Sequence, residues 1–186
     1  MESAARAWAK CERVVWAMRL VDLTHSTSRR APAEDVVPVV VRSADPIHRV
    51  PLDGLVTLAT VIDLTGRAEP GRITRSDVAK VGVAGISGCI LRTDWSDKYL
   101  SGMKQPVPEL SVDAAAYLLE GGVRTVAADF PMTSDAADLL IHNHCVLVYC
   151  LSNIAALGET IVRLVALPLK LEDTYSAEAR VVAMEE

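Results

Sequence analysis

The chain has 186 residues, 51% of them apolar and only 4% aromatic, with a formal net charge of −5. That length suits a domain with a substantial core. The acidic balance and the lack of any Lys/Arg block exclude nucleic acid and anionic membranes as expected partners.

Cys11, Cys89, Cys145 and Cys150 show no C-x-x-C spacing. Reduced thiols packed as small core residues of a cytoplasmic protein are therefore expected. Residues 1–17 interleave Arg6, Lys10, Glu12 and Arg13 with apolar side chains, which excludes a signal h-region or a membrane span. Ala4, Ala5, Trp8, Cys11 and Val15 fall at helical spacing. The segment reads as an amphipathic helical appendage, either a docking helix or an over-long start, to a single domain over residues 18–186.

Residues 19–23 read as a first strand, followed by a polar loop, Thr24 to Ser28. Residues 29–35 are loop-like. Residues 36–42 are β-branched and predict a strand, with Pro38 marking it as an edge or irregular one. Residues 55–64, rich in Val, Ile and Thr, predict the clearest strand. Thr74 and Asp77 suit the start of a short helix ending by Gly82 or Gly85. Residues 88–93 predict a strand, and residues 94–108 a long polar loop.

Ser111 caps a helix through Glu120, with Gly121 and Gly122 past its end. A strand over 123–129 follows, then a helix from Ser134 or Asp135 to about Asn143, and a strand over 145–151. Residues 162–167 and 180–184 predict the last strands. The middle of the chain alternates strand and helix, which implies a mostly parallel stretch of sheet.

Several segments, in order, resemble the cyclase family that includes bacterial kynurenine formamidase and isatin hydrolase. Met18-Arg-Leu-Val-Asp-Leu-Thr-His25 resembles its opening strand. Pro51-Leu-Asp-Gly-Leu and Ala59-Thr-Val-Ile-Asp-Leu64 resemble the segment after its metal motif. Leu91-Arg-Thr-Asp-Trp95 is similar to its L-R-T-G-W turn, with Asp94 in place of Gly. Pro108-Glu-Leu-Ser111, Gly122-Val-Arg-Thr-Val-Ala-Ala-Asp129, Leu151-Ser-Asn153 and Ala166-Leu-Pro-Leu-Lys170 match later segments. The resemblance covers roughly residues 18–184. It implies an α/β architecture, the swivelling β/β/α fold, with a mixed sheet and flanking helices. It also implies a homo-oligomer, a dimer or a tetramer.

The family signature is H-x-G-T-H-x-D-x-P-x-H. Its first two His and its Asp hold a divalent metal, usually zinc or manganese, and its last His is the acid/base. Registered on Pro46-x-His48, the ligand positions fall on Pro38, Arg42 and Ala44. None of these side chains coordinates a cation, and Arg42 repels one. The family's distal His and Glu fall near Ala136 or Ala137 and near Tyr149. A one-residue slip would bring in only Asp45. The resemblance therefore implies a divergent member without the metal centre and without another cofactor.

His48 matches the family's acid/base, and an ordinary imidazole titrates near pH ~6.5. Arg42 is suited to hold a developing oxyanion where the metal stood. Asp129, at the end of a parallel strand, is read as organising the site floor; a capping role for the loop after it weighs equally. Trp95 and Tyr99 are read as flat walls for a substrate and His25 as a neighbour of the cleft, though packing or capping explains them as well. His142-Asn143-His144 reads as an ordinary helix end rather than a metal pair.

Amide hydrolysis without metal-activated water lacks its nucleophile, whereas proton transfer does not need one. Some relatives are associated with aromatic polyketide biosynthesis as cyclases. The expected function is a metal-independent cyclase closing a ring on a natural-product, polyketide-like intermediate. The alternatives are a hydrolase of the kynurenine formamidase type with a rearranged metal site around His25, Asp45 and His48, and a non-catalytic binding or scaffold protein on the same fold.

Overall fold

The longest β-branched run forms the sheet centre. β3 (Val56–Asp63) pairs in parallel with β5 (Gly88–Arg92), which pairs with β7 (Thr125–Ala128), and β7 with β8 (Val146–Tyr149). β5, β7 and β8 are almost wholly buried on both faces, as parallel strands covered on both sides must be. The computed structural model describes residues 18–26, 38–67 and 71–185. The helix expected over residues 1–17 and the loop expected over 29–35 lie outside them.

Antiparallel strands complete the sheet. β1 (Arg19–Asp22) and β2 (Val40–Arg42) both pair with one edge of β10 (Ser176–Glu185), and β2 also pairs with β8. β9 (Ile161–Pro168) joins β3 to the other edge of β10. The mixed sheet thus closes on itself as a barrel. A separate two-strand ladder links β4 (Arg72–Ile73) and β6 (Glu109–Leu110).

Alternation along each strand divides the core in two. Val41, Ala59, Ile90, Ala127, Val148, Leu164 and Ala183 point into the barrel. Ile62, Cys89, Leu91, Val126 and Leu147 point outward, beneath helices. Those helices are short: α1 (Leu52–Leu55), α2 (Arg75–Val78), α3 (Trp95–Leu100), α4 (Val112–Glu120) and α5 (Asp135–His142). Ala114, Ala115, Ala136 and Ala137 are fully buried, so α4 and α5 lie close to the sheet. Burying one Leu such as Leu118 contributes about 1.5–3 kcal/mol.

The caps are local and readable. Thr74 and Asp77 form a reciprocal capping box at α2. Ser111 accepts from the Ala114 N–H at α4, and Gly122, at φ +87°, lets the chain leave it. Cys89, Cys145 and Cys150 are free and buried; burial pushes the Cys145 thiol up to about 11 and the Cys150 thiol up to about 12.

The structure corrects the sequence reading between residues 94 and 108. A six-residue helix, α3, begins there immediately after β5. Its start is held by Asp94 in the left-handed region at φ 60°, the position where the related turn carries Gly. Arg92 Nε donates to Asp94 at 2.8 Å, which fixes the carboxylate beside this turn. The strands at 88–93, 123–129 and 145–151 are also shorter than expected.

Candidate functional site

Val39, just before β2, and Val41 within it point into the barrel, so Val40 and Arg42 face outward. On β8 the same alternation sends Leu147 and Tyr149 outward. The register sets Val40 opposite Tyr149 and Arg42 opposite Leu147. Arg42 and Tyr149 are therefore diagonal neighbours on one face, close enough for long side chains to interact. Burial pushes the Tyr149 phenol up, and the Arg42 charge opposes that shift. Arg42 also reaches Asp138 of α5, with Nη2 3.8 Å from the carboxylate.

A second group forms at the carboxyl ends of β5 and β7. The Asp129 carboxylate is 3% exposed. It accepts from the Thr93 N–H at 2.8 Å, the Thr93 hydroxyl at 2.7 Å and the Asp94 N–H. Burial pushes its pKa up to about 6, although these hydrogen bonds favour the charged form. The Asp129 carbonyl accepts from the Ser96 N–H and hydroxyl, fastening α3 to β7. On α3, the Trp95 and Tyr99 rings stack at 5.0 Å between centroids and 14° between planes.

His25 joins this end through α3. Burial lowers its pKa, and the charge of Asp97 pulls it the other way. Both ring nitrogens are buried without a hydrogen-bond partner. Asp97 in turn accepts from the Asn153 N–H at 3.1 Å, and the Asn153 side chain donates to the Asp22 carbonyl. His25 and Pro38 line one cleft of about 640 Å³, with Leu167 and the Asp22–Arg180 ion pair on its walls.

His48 lies elsewhere. β2 runs antiparallel to β8, so the chain beyond Arg42 leaves at the amino ends of the parallel strands. His48 sits there in a short 3-10 turn, Ile47–Arg49, with Nε2 accepting from Arg49 Nε at 3.2 Å and Nδ1 buried without a partner. Asp45 lies 3.6 Å from His144 at the same end. His142 Nδ1 meets the Asp138 carbonyl at 2.7 Å, an ordinary helix-end contact.

The six residues singled out from the sequence thus divide. Asp129, Trp95, Tyr99 and His25 share the carboxyl-end region. Arg42 stands on the outer face of β2, and His48 beyond the amino ends. His25, Asp45 and His48 do not gather into a rearranged metal site. Among the described residues, no group of three or more His, Cys, Asp or Glu side chains is placed to hold a metal ion. Tyr149, Thr93 and Asp97 were not singled out as working groups. Outward alternation on β8 was the available signal for Tyr149.

The family described as "Putative cyclase" matches residues 24–135, more than half of the chain. The chain belongs to this family. A search of curated proteins finds no match. Among solved structures, one described as a potential metal-dependent hydrolase with cyclase activity superposes with a TM-score of 0.77 at 20% identity, covering 91% of this chain and 98% of its own. Isatin hydrolase A from Labrenzia aggregata, bound to benzyl benzoate, gives 0.75 at 18% identity, covering 98% and 99%. A predicted metal-dependent hydrolase from Bacillus stearothermophilus gives 0.72 at 19%, covering 91% and 99%. At these identities the likeness shows the fold. The swivelling α/β architecture implied by the sequence is the observed one.

A divalent metal is what this cyclase family implies, and the residues here do not fit one. With the family signature registered on Pro46-x-His48, its ligand positions fall on Pro38, Arg42 and Ala44. The distal positions hold a buried alanine, Ala136 or Ala137, and the Tyr149 phenol. On that registration Arg42, a guanidinium 3.8 Å from Asp138, takes the place of a ligand and would repel a cation. No helix among the described residues is long and apolar enough to cross a membrane.

Proposed function

We propose that this cyclase-family protein closes a ring on a polyketide-like, multiply carbonylated intermediate without a metal ion. The observation that carries the reading is the Arg42–Tyr149 pair, diagonal neighbours on the outer face of β2 and β8. A fixed cation beside a phenol kept protonated by burial is an oxyanion-binding arrangement. In an intramolecular aldol closure a base removes an α-proton, the enolate carbon bonds to a second carbonyl, and the resulting alkoxide takes a proton. Arg42 holds the enolate and alkoxide oxygen, Tyr149 donates a hydrogen bond to it, and His48 carries the proton. Asp129 organises the floor at the carboxyl-end region, where Trp95, Tyr99 and His25 contact the remainder of the substrate. The protein acts as a homo-oligomer on a small molecule.

The test is turnover of a poly-β-keto thioester mimic by chelator-treated protein, followed by mass-resolved chromatography, with elemental analysis of the same sample. Cyclised product from metal-free protein, lost in Arg42→Ala, supports the reading. A stoichiometric zinc or manganese ion overturns it.

One observation favours a second reading, a non-catalytic binding protein on the same fold. His48 and the carboxyl-end group stand at opposite ends of the parallel strands. Unchanged product formation in the producing cells of both His48→Ala and Arg42→Ala variants would favour that reading over catalysis.

A further inference from the structure

A hollow of about 160 Å³ lies where the carboxyl ends of β3 and β5 meet residues 105–108. Its polar wall is made by Arg67, Thr93, Trp95, Lys98 and Gln105. Trp95 is 5% exposed, and its indole N–H, a group that only donates, has no hydrogen-bond partner. Lys98, a partly exposed residue, stands on the same helix one turn further on, and its ammonium makes no ion pair or hydrogen bond among the described residues. Gln105 is anchored to the same place, its Nε2 donating to the Trp95 carbonyl at 3.4 Å. Arg67 adds a guanidinium that donates to the Leu64 and Arg72 carbonyls.

A buried donor left unpaired is unfavourable. The wall gathers this donor and two cationic side chains. What completes it is an acceptor carrying negative charge.

We propose that this hollow binds a small monocarboxylate, received by the Trp95 indole N–H and the Lys98 ammonium. The space holds about five water volumes of ~30 Å³ each, room for a small carboxylate such as acetate or propionate. The single charge follows from Thr93, whose hydroxyl is spent on Asp129 directly behind the wall. That carboxylate opposes a second negative charge on the ligand, so a dianionic phosphate is disfavoured. The hollow shares Trp95 with the substrate wall of the proposed function, but the test reads binding and not turnover, so the two readings fail separately.

The test is a titration of the full-length chain with propionate, following the indole N–H resonances by heteronuclear NMR. Neutral propionamide and inorganic phosphate serve as comparison probes. The expected result is a saturable shift of one buried indole signal with propionate, with propionamide and the Lys98→Gln variant each about tenfold weaker. Lys98 is partly exposed, so that variant is expected to keep its fold, which circular dichroism checks. Trp95→Phe assigns the resonance where it folds, and Gln105→Leu supplies a second wall variant. No saturable shift, an equal response to propionamide, or unchanged binding in Lys98→Gln overturns the site. Tighter binding of phosphate than of propionate overturns the monocarboxylate assignment.

Discussion

Thr93 grips Asp129 twice, with its backbone N–H at 2.8 Å and its hydroxyl at 2.7 Å from the two carboxylate oxygens. The Asp94 N–H adds a third bond. One carboxylate thereby ties the end of β5 to the end of β7 and sets where α3 begins. Burial still dominates and holds its pKa at about 6, above the ordinary 3.8. A raised folded-state value means that the contribution is fully present below the ordinary value and is lost as pH rises through 6.

Asp129→Asn is therefore expected to flatten part of the stability profile between about pH 4 and 6. The full shift corresponds to roughly 3 kcal/mol. Urea unfolding of wild type and variant at several pH values across this window checks it. Parallel profiles would show that Asp129 is not the titrating group.

Glu185 has the opposite sign. The Glu159 N–H holds its carboxyl below the ordinary range, with help from the Gly158 N–H and the Arg19 guanidinium. Its stabilisation is present above the ordinary glutamate value and is lost as pH falls through the lowered one. Glu185→Gln should destabilise by about 1–3 kcal/mol at neutral pH. Thermal melts at pH 7 and pH 3 check this, since the difference from wild type should shrink in acid.

Arg42→Ala should separate stability from function. Its ion pair with Asp138 spans 3.8 Å between side chains that are 37% and 61% exposed, so less than about 1 kcal/mol should be lost. Loss of the oxyanion cation should lower turnover by about 10²-fold. Arg42→Lys should recover only part of it, because the planar fork is gone. Chemical denaturation beside the turnover assay reads both.

Gly88→Ala tests the sheet centre. An added Cβ would meet Thr57 Cγ2 at 2.8 Å, the Leu58 carbonyl oxygen at 3.0 Å and Ala59 Cβ at 3.1 Å. The surrounding strands are fixed by pairing on both sides, so the strain has nowhere to relax. A loss of about 1–3 kcal/mol in urea unfolding is expected.

The inner strands were legible because β-branched runs bounded by caps and glycines state their own structure. Ser111, Thr74 and Gly122 mark helix ends for local reasons. Helix α3 was hidden, because its polar sequence is set by the Asp129 carboxylate and by Asp94 at positive φ, neither of them a local signal. The site was only half legible. His48 and Trp95 both follow a strand, but β2 runs antiparallel to β8 and β5 runs parallel to the strands beside it. Residues that read alike in sequence therefore leave at opposite ends of the sheet. Arg42 was placed by registering Pro46-x-His48, whereas its partner Tyr149 depends on the long-range pairing of β2 with β8.

Strand β10 holds β9 along one edge and β1 with β2 along the other. It follows every one of these partners in the chain. Its contact with β1 joins residues 166 positions apart, as in the Arg19–Glu185 ion pair. A ribosome making this protein must therefore finish the last strand before the first has a partner. Until then β1 and β2 expose open edges, and the early chain is at its most vulnerable to mispairing with another molecule. Such long-range closure predicts slow folding for a chain of this size.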